Sequence, residues 1–66
     1  MMVDYKKLWI ALIQKNMSKP QLRKMADISP STFTKLNKNK LVSMDVLVRI
    51  CRVLDCDFGD IIEIVK

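Results

Sequence analysis

The residues best equipped to do chemistry lie in the middle of the chain. Ser31, Thr32, Thr34, Lys35 and Lys38 fall within one short run, and Asn37, Asn39 and Lys40 extend it. Hydroxyls donate or accept hydrogen bonds and ammonium groups only donate, so this set suits a surface of acceptors and negative charge. Base edges flanked by phosphates are such a surface. Catalytic chemistry finds no comparable set. The chain has no His, no nucleophile beside a base and no Gly-rich phosphate loop, and Asp55, Asp57 and Asp60 cluster where helix capping explains them. Cys51 and Cys56 lack the further thiols or imidazoles that zinc needs, and four residues separate them where a redox motif has two. They read as small apolar side chains of the core. No enzyme activity, cofactor or metal is expected.

Charge agrees with the first set. Twelve Lys and Arg against seven Asp and Glu give +5 in 66 residues. Between Tyr5 and Met44 nine bases face a single acid, Asp27, whereas from Asp45 to Lys66 five acids outnumber three bases. A basic surface by itself only aids solubility, but segregated charge builds one end to meet a polyanion. No apolar run is long enough to span a bilayer and the N-terminus lacks the order of a signal peptide, so the protein is expected in the cytoplasm, with no membrane partner.

A scaffold must hold the central run outward. With 6% aromatics, one Gly and two Pro, the chain lacks the turn density of a β-sandwich. Tyr5, Leu8, Trp9, Leu12 and Ile13 recur at helical spacing and predict a first helix over about 4 to 16. Four further segments follow, carrying Leu22, Met25 and Ala26; Phe33 and Leu36; Leu47, Ile50, Cys51 and Leu54; and Phe58, Ile61, Ile62 and Val65. Ser18 with Gln21 forms a capping box, Ser29 precedes Pro30, Ser43 precedes Asp45, and Asp57 opens the last segment. Apolar residues bracket each cap as staples: Met17 with Leu22, Ile28 with Phe33, Val42 with Leu47, Cys56 with Ile61. The expectation is one all-α domain over 1–66, a compact five-helix bundle. Its core should hold Leu8, Trp9, Leu12, Leu22, Met25, Ala26, Ile28, Phe33, Leu36, Leu47, Ile50, Cys51, Leu54, Phe58, Ile61 and Ile62.

Only Asp27, Ile28 and Ser29 separate the second and third helices, the connection of a helix-turn-helix, here over about 18–38. With Phe33 and Leu36 turned inward, Ser31, Thr32, Thr34, Lys35 and Lys38 project outward, where they can enter a major groove; Asn37 reaches adenine if it turns the same way. Lys38, Asn39 and Lys40 suit the flanking phosphates. Ser18 and Lys19 begin the second helix, whose free N–H groups and dipole offer an anion site. Arg23 and Lys24 extend the basic surface.

The stretch Met17-Ser18-Lys19-Pro20-Gln21-Leu22 through Asp27-Ile28-Ser29-Pro30-Ser31-Thr32-Phe33-Thr34-Lys35-Leu36, followed by Val42-Ser43-Met44-Asp45-Val46-Leu47, Ile50-Cys51, Leu54-Asp55-Cys56 and Gly59-Asp60-Ile61-Ile62, resembles the Cro and phage-repressor type (Xre-like) helix-turn-helix domain. The resemblance spans nearly the whole chain and is nearest to the short, single-domain members. It implies a lambda-repressor-like DNA-binding domain that regulates transcription, often as a dimer on a palindromic operator. It also implies that Ser31, Thr32, Thr34 and Lys35 touch bases and that Lys19, Lys38 and Lys40 lie near phosphates. The chain departs from the family at Pro30, where a Gln is common, and at Arg23 and Asp27, where a small residue and Gly are common. Asp enters the left-handed region more readily than most residues, so the turn remains feasible.

The expected function is therefore a sequence-specific regulator of double-stranded DNA, a repressor and homodimer, with its third helix in the major groove. The alternative is a protein-interaction module of the same fold, antitoxin-like or anti-repressor, that uses Ile61, Ile62, Ile64 and Val65 to hold a partner without reading DNA.

Overall fold

A computed structural model describes residues 2–65. Four α-helices follow one another as α1 (Lys6–Gln14), α2 (Lys19–Met25), α3 (Pro30–Asn37) and α4 (Met44–Leu54). A 3-10 turn (Phe58–Asp60) comes next, and strands β1 (Met2–Asp4) and β2 (Glu63–Val65) join the two ends of the described chain.

The helix starts are those the serines mark. Ser18 accepts from Gln21 N while Gln21 returns a bond to Ser18 N, and Ser29 and Ser43 accept from Thr32 N and Val46 N. The stops share one device. Asn16, Asp27, Asn39 and Asp55 all adopt left-handed φ between 52° and 56°. The amide after each donates back to the carbonyl five residues earlier: Met17 to Leu12, Ile28 to Arg23, Lys40 to Lys35, Cys56 to Cys51. This is the Schellman closure, usually given to glycine, and here Asn and Asp perform it because they tolerate that region better than other side-chain-bearing residues. Three of the turns then place an apolar residue and a cap in succession: Met17-Ser18, Ile28-Ser29 and Cys56-Asp57. One helix thus ends and the next begins within three residues, which fixes the angle between them.

Fully buried side chains come from every helix, with Leu8, Leu22, Leu36, Ile50 and Leu54 joined by Tyr5 and Ile61. All eight staple residues belong to this core or pack against it. Tyr5, Val3 and Val46 enter the core unforeseen, whereas Met25 is 61% exposed and Phe58 lies at the surface. Leu22 and Ala26, one turn apart, take the inner row of α2 and leave Met25 to solvent. Trp9, Phe33, Cys51 and Ile62 are only half-buried, packed against the core rather than inside it.

The five-helix, all-α expectation is corrected at the C-terminal end. Asp57 does cap, in a box with Asp60, but what it opens is a single 3-10 turn, with Asp60 N and Ile61 N donating to Asp57 O and Phe58 O at 3.0 Å each. The chain then extends and pairs antiparallel with β1, in the register Met2 with Val65, Val3 with Ile64 and Asp4 with Glu63. Ile61, Ile62, Ile64 and Val65 are β-branched and prefer a pleated strand to a helix. A helix of about two turns would in addition repay little of its nucleation cost. The first helix is shorter than the expected 4–16 at both ends, since Asp4 is spent on the sheet and Asn16 turns left-handed just after Gln14.

Candidate nucleic-acid interface

Helix α3 stands outward from the core on the one buried side chain Leu36 and on half-buried Phe33, whose ring meets Trp9 edge-on at 6.0 Å. The opposite face is the one expected: Ser31, Thr34, Lys35 and Lys38 are exposed and Thr32 half-exposed. Neither Lys35 nor Lys38 is in an ion pair, the only salt bridge among the described residues being Arg49 with Asp45 at 3.2 Å.

Hydrogen bonding decides what these hydroxyls can still offer. Thr34 donates its hydroxyl proton to Pro30 O at 2.9 Å, so it presents acceptor lone pairs and a methyl group outward. Ser29 Oγ donates to Thr32 Oγ1 at 2.9 Å and lies 3.3 Å from Ser31 Oγ. The first turn of α3 is therefore a small hydroxyl network, and Lys35 beyond it is an unencumbered donor. Such a face can accept from the amino groups of cytosine or adenine, pack a methyl against thymine, and donate to guanine.

The phosphate candidates are more constrained than their residue types imply. Ser18 is committed to the capping box, Pro20 has no N–H and Gln21 N is bound, so Lys19 N is the donor left at the very start of α2. The Lys19 ammonium lies 4.1 Å from the Trp9 ring centroid and donates to Asn37 Oδ1 at 3.0 Å. It thereby ties α2 to both α1 and α3. Asn37 is exposed, its carbonyl spent on Lys19. Asn39 Oδ1 accepts from Tyr5 N at 3.1 Å, leaving its amide N–H groups as donors, and Lys40 O accepts from the Tyr5 hydroxyl at 2.7 Å. Burial raises the Tyr5 phenol pKa, with a backbone hydrogen bond from Val42 pulling the other way. The phenol thus stays protonated and holds the loop after α3 against the start of α1. Lys38 and Lys40 keep their side chains exposed beside it.

Two positioning residues lie beyond the reach of the sequence pattern. Tyr5 falls on a helical stripe, yet its hydrogen bonds span more than thirty residues. Arg49, on α4, donates from Nη1 to Ala26 O at 3.2 Å and Asp27 O at 2.7 Å, capping the end of α2 and gripping the turn into α3. Its other arm pairs with Asp45 one turn back. Asn39 carries a signal, an Asn after a helix; Arg49 carries none, since its acceptors are backbone carbonyls 22 and 23 residues away. Asp27 takes the left-handed turn position as the sequence allows, with φ 53°. Among the described residues no group of three or more potential ligands could hold a metal, and no helix is long and apolar enough to cross a membrane.

Comparison with known proteins places this geometry. Residues 7–66 match the Cro/C1-type HTH DNA-binding domain. The chain is similar to the crystal structure of the transcriptional regulator VanUg, Form II, at 55% identity and a TM-score of 0.92, covering 94% of this chain and 83% of that one. No curated protein sequence gives a significant match.

Proposed function

This chain belongs to the Cro/C1-type helix-turn-helix DNA-binding domain family, and from that premise we propose that it is a sequence-specific regulator of transcription that represses by occupying its operator. The observation that carries this reading is the outward face of α3, where Thr34 and Lys35 are exposed with no acidic side chain on the helix. Ser31, Thr32, Thr34 and Lys35 meet base edges in the major groove, and Ser18, Lys19, Lys38, Asn39 and Lys40 lie along the phosphates on either side. Lys19 reaches a phosphate by exchanging its Asn37 carbonyl for an anionic oxygen. The similar protein VanUg is a transcriptional regulator, which supports the regulatory half of the proposal.

The operator is palindromic and the regulator binds it as a homodimer in the cytoplasm. Exposed Met2, Ile64 and Val65 on the two-stranded sheet supply apolar surface for that association, whereas Ile61 is buried and Ile62 half-buried, already spent on the chain's own core. Selection of bound duplexes from a randomised pool tests the whole reading. The expected result is an enriched motif with two-fold symmetry and half-sites about 10 bp apart, bound less tightly as salt rises. A pool that stays random, with binding indifferent to salt, overturns it.

A further inference from the structure

The DNA reading makes no use of Cys51 and Cys56, and the structure does not bury them as the sequence analysis expects. Both are free and only half-buried, and both line one surface groove with Val48, Arg52, Asp55 and Phe58. The Schellman closure of α4 sets their relation. Asp55 turns left-handed, and Cys56 N donates to Cys51 O at 3.0 Å. That closure brings the side chains of its first and last residues together, a contact normally filled by two apolar groups. In the other three helices the pair is Leu12 with Met17, Arg23 with Ile28, and Lys35 with Lys40. Only at the end of α4 are both members thiols. The backbone bond holds the two residues near the separation that a disulfide spans, roughly 5.5–6 Å between Cα atoms.

We propose that Cys51 and Cys56 form a reversible modification site, which a small-molecule disulfide oxidises to an intramolecular disulfide closing the end of α4. The proposal stands apart from DNA binding.

Local charge selects this product over a bound metal ion. Asp57 and Asp60, the cap and last residue of the 3-10 turn, act on both thiols, with Lys15 just after α1 opposing them at Cys56. Burial first, then the neighbouring Cys56, and only then these acids push the Cys51 thiol up to about 11. A pair of thiolates on a soft cation would keep negative charge in this place, whereas a disulfide carries none. One of the two thiols loses its proton to solvent and its thiolate attacks the small disulfide, whose S–S bond breaks; one small thiolate leaves and takes up a proton. The other, deprotonated in turn, attacks the protein sulfur of the mixed disulfide and expels the second small thiolate, which takes up a proton. Two protein thiols are oxidised and one small disulfide is reduced to two thiols.

The test equilibrates the full chain with reduced and oxidised glutathione, quenches with an alkylating agent and reads the intact mass. The expected product is a monomer lighter by two hydrogen atoms, and the effective concentration for ring closure falls at least about tenfold when urea unfolds the chain. Two glutathione adducts on one chain, or ring closure equally favourable in urea, overturns the proposal. Single variants keep the ring falsifiable: Cys51→Ser and Cys56→Ser should each stop at one glutathione adduct, and a loss of two hydrogen atoms in either overturns the proposal.

Discussion

The stretch from α2 through α3 and the sheet formed by β1 and β2 depend on opposite kinds of information. The first is specified locally at every step. Ser18, Ser29 and the left-handed Asp27 and Asn39 mark each boundary, while Leu22, Ala26, Ile28 and Leu36 sit at helical spacing on the inner side. The second has almost no local specification. β2 is three residues, all exposed, and it exists because a strand from the other end of the chain lies beside it. Redundant local signals make the helix-turn-helix a platform, and the sheet is a clasp that adds Val3 to its core.

The contrast can be broken by substitution, beginning where the effect should be greatest. Leu36→Ala removes a fully buried side chain from the platform and should cost about 2–5 kcal/mol in denaturant unfolding. A cost below about 1 kcal/mol, outside the range for emptying a core site, would mean that α3 does not rest on this residue. Arg49→Ala deletes the charged donors to Ala26 O and Asp27 O, for an expected loss of about 1.5–3 kcal/mol; Arg49→Lys should recover only part, because an ammonium cannot reproduce the fork.

Binding sharpens the comparison further. Lys35→Ala should leave stability nearly unchanged while altering base preference by about 1–3 kcal/mol in competition between duplexes. Lys38→Ala should weaken every sequence alike and reduce the slope of log K against log salt by about one. Ile64→Thr should be the mildest, within about 0.5 kcal/mol for the single chain, since the side chain is 59% exposed and Thr remains β-branched. A loss as large as that of Leu36→Ala would show Ile64 to be part of the core.

Much of the platform is legible in the residues. The three serine caps lie where the residue types put them, and the outward face of α3 follows from turning Phe33 and Leu36 inward. The C-terminal segment misleads because Phe58, Ile61, Ile62 and Val65 fit a helical stripe as well as a turn followed by a strand, and Asp57 caps either. Short apolar runs are ambiguous in this way, and their β-branching is the signal to weigh. At the candidate interface, exposure follows from periodicity, but the state of each polar group does not. Thr34 has given its proton to Pro30, Asn39 its carbonyl to Tyr5, and Lys19 sits over Trp9.

What the sequence determined alone is therefore the presence of the four helices, the starts of α2, α3 and α4, and the residue types of the exposed face, because caps and periodicity act over a few residues. Tertiary structure alone decided the pairing of β1 with β2, the grip of Arg49 on the turn between α2 and α3, and the meeting of Tyr5 with the loop after α3. Each of these joins backbone groups to residues more than twenty positions distant or at the opposite end of the chain. Backbone N–H and C=O groups are the same in every residue but proline, so no spacing of side chains announces which of them will be used.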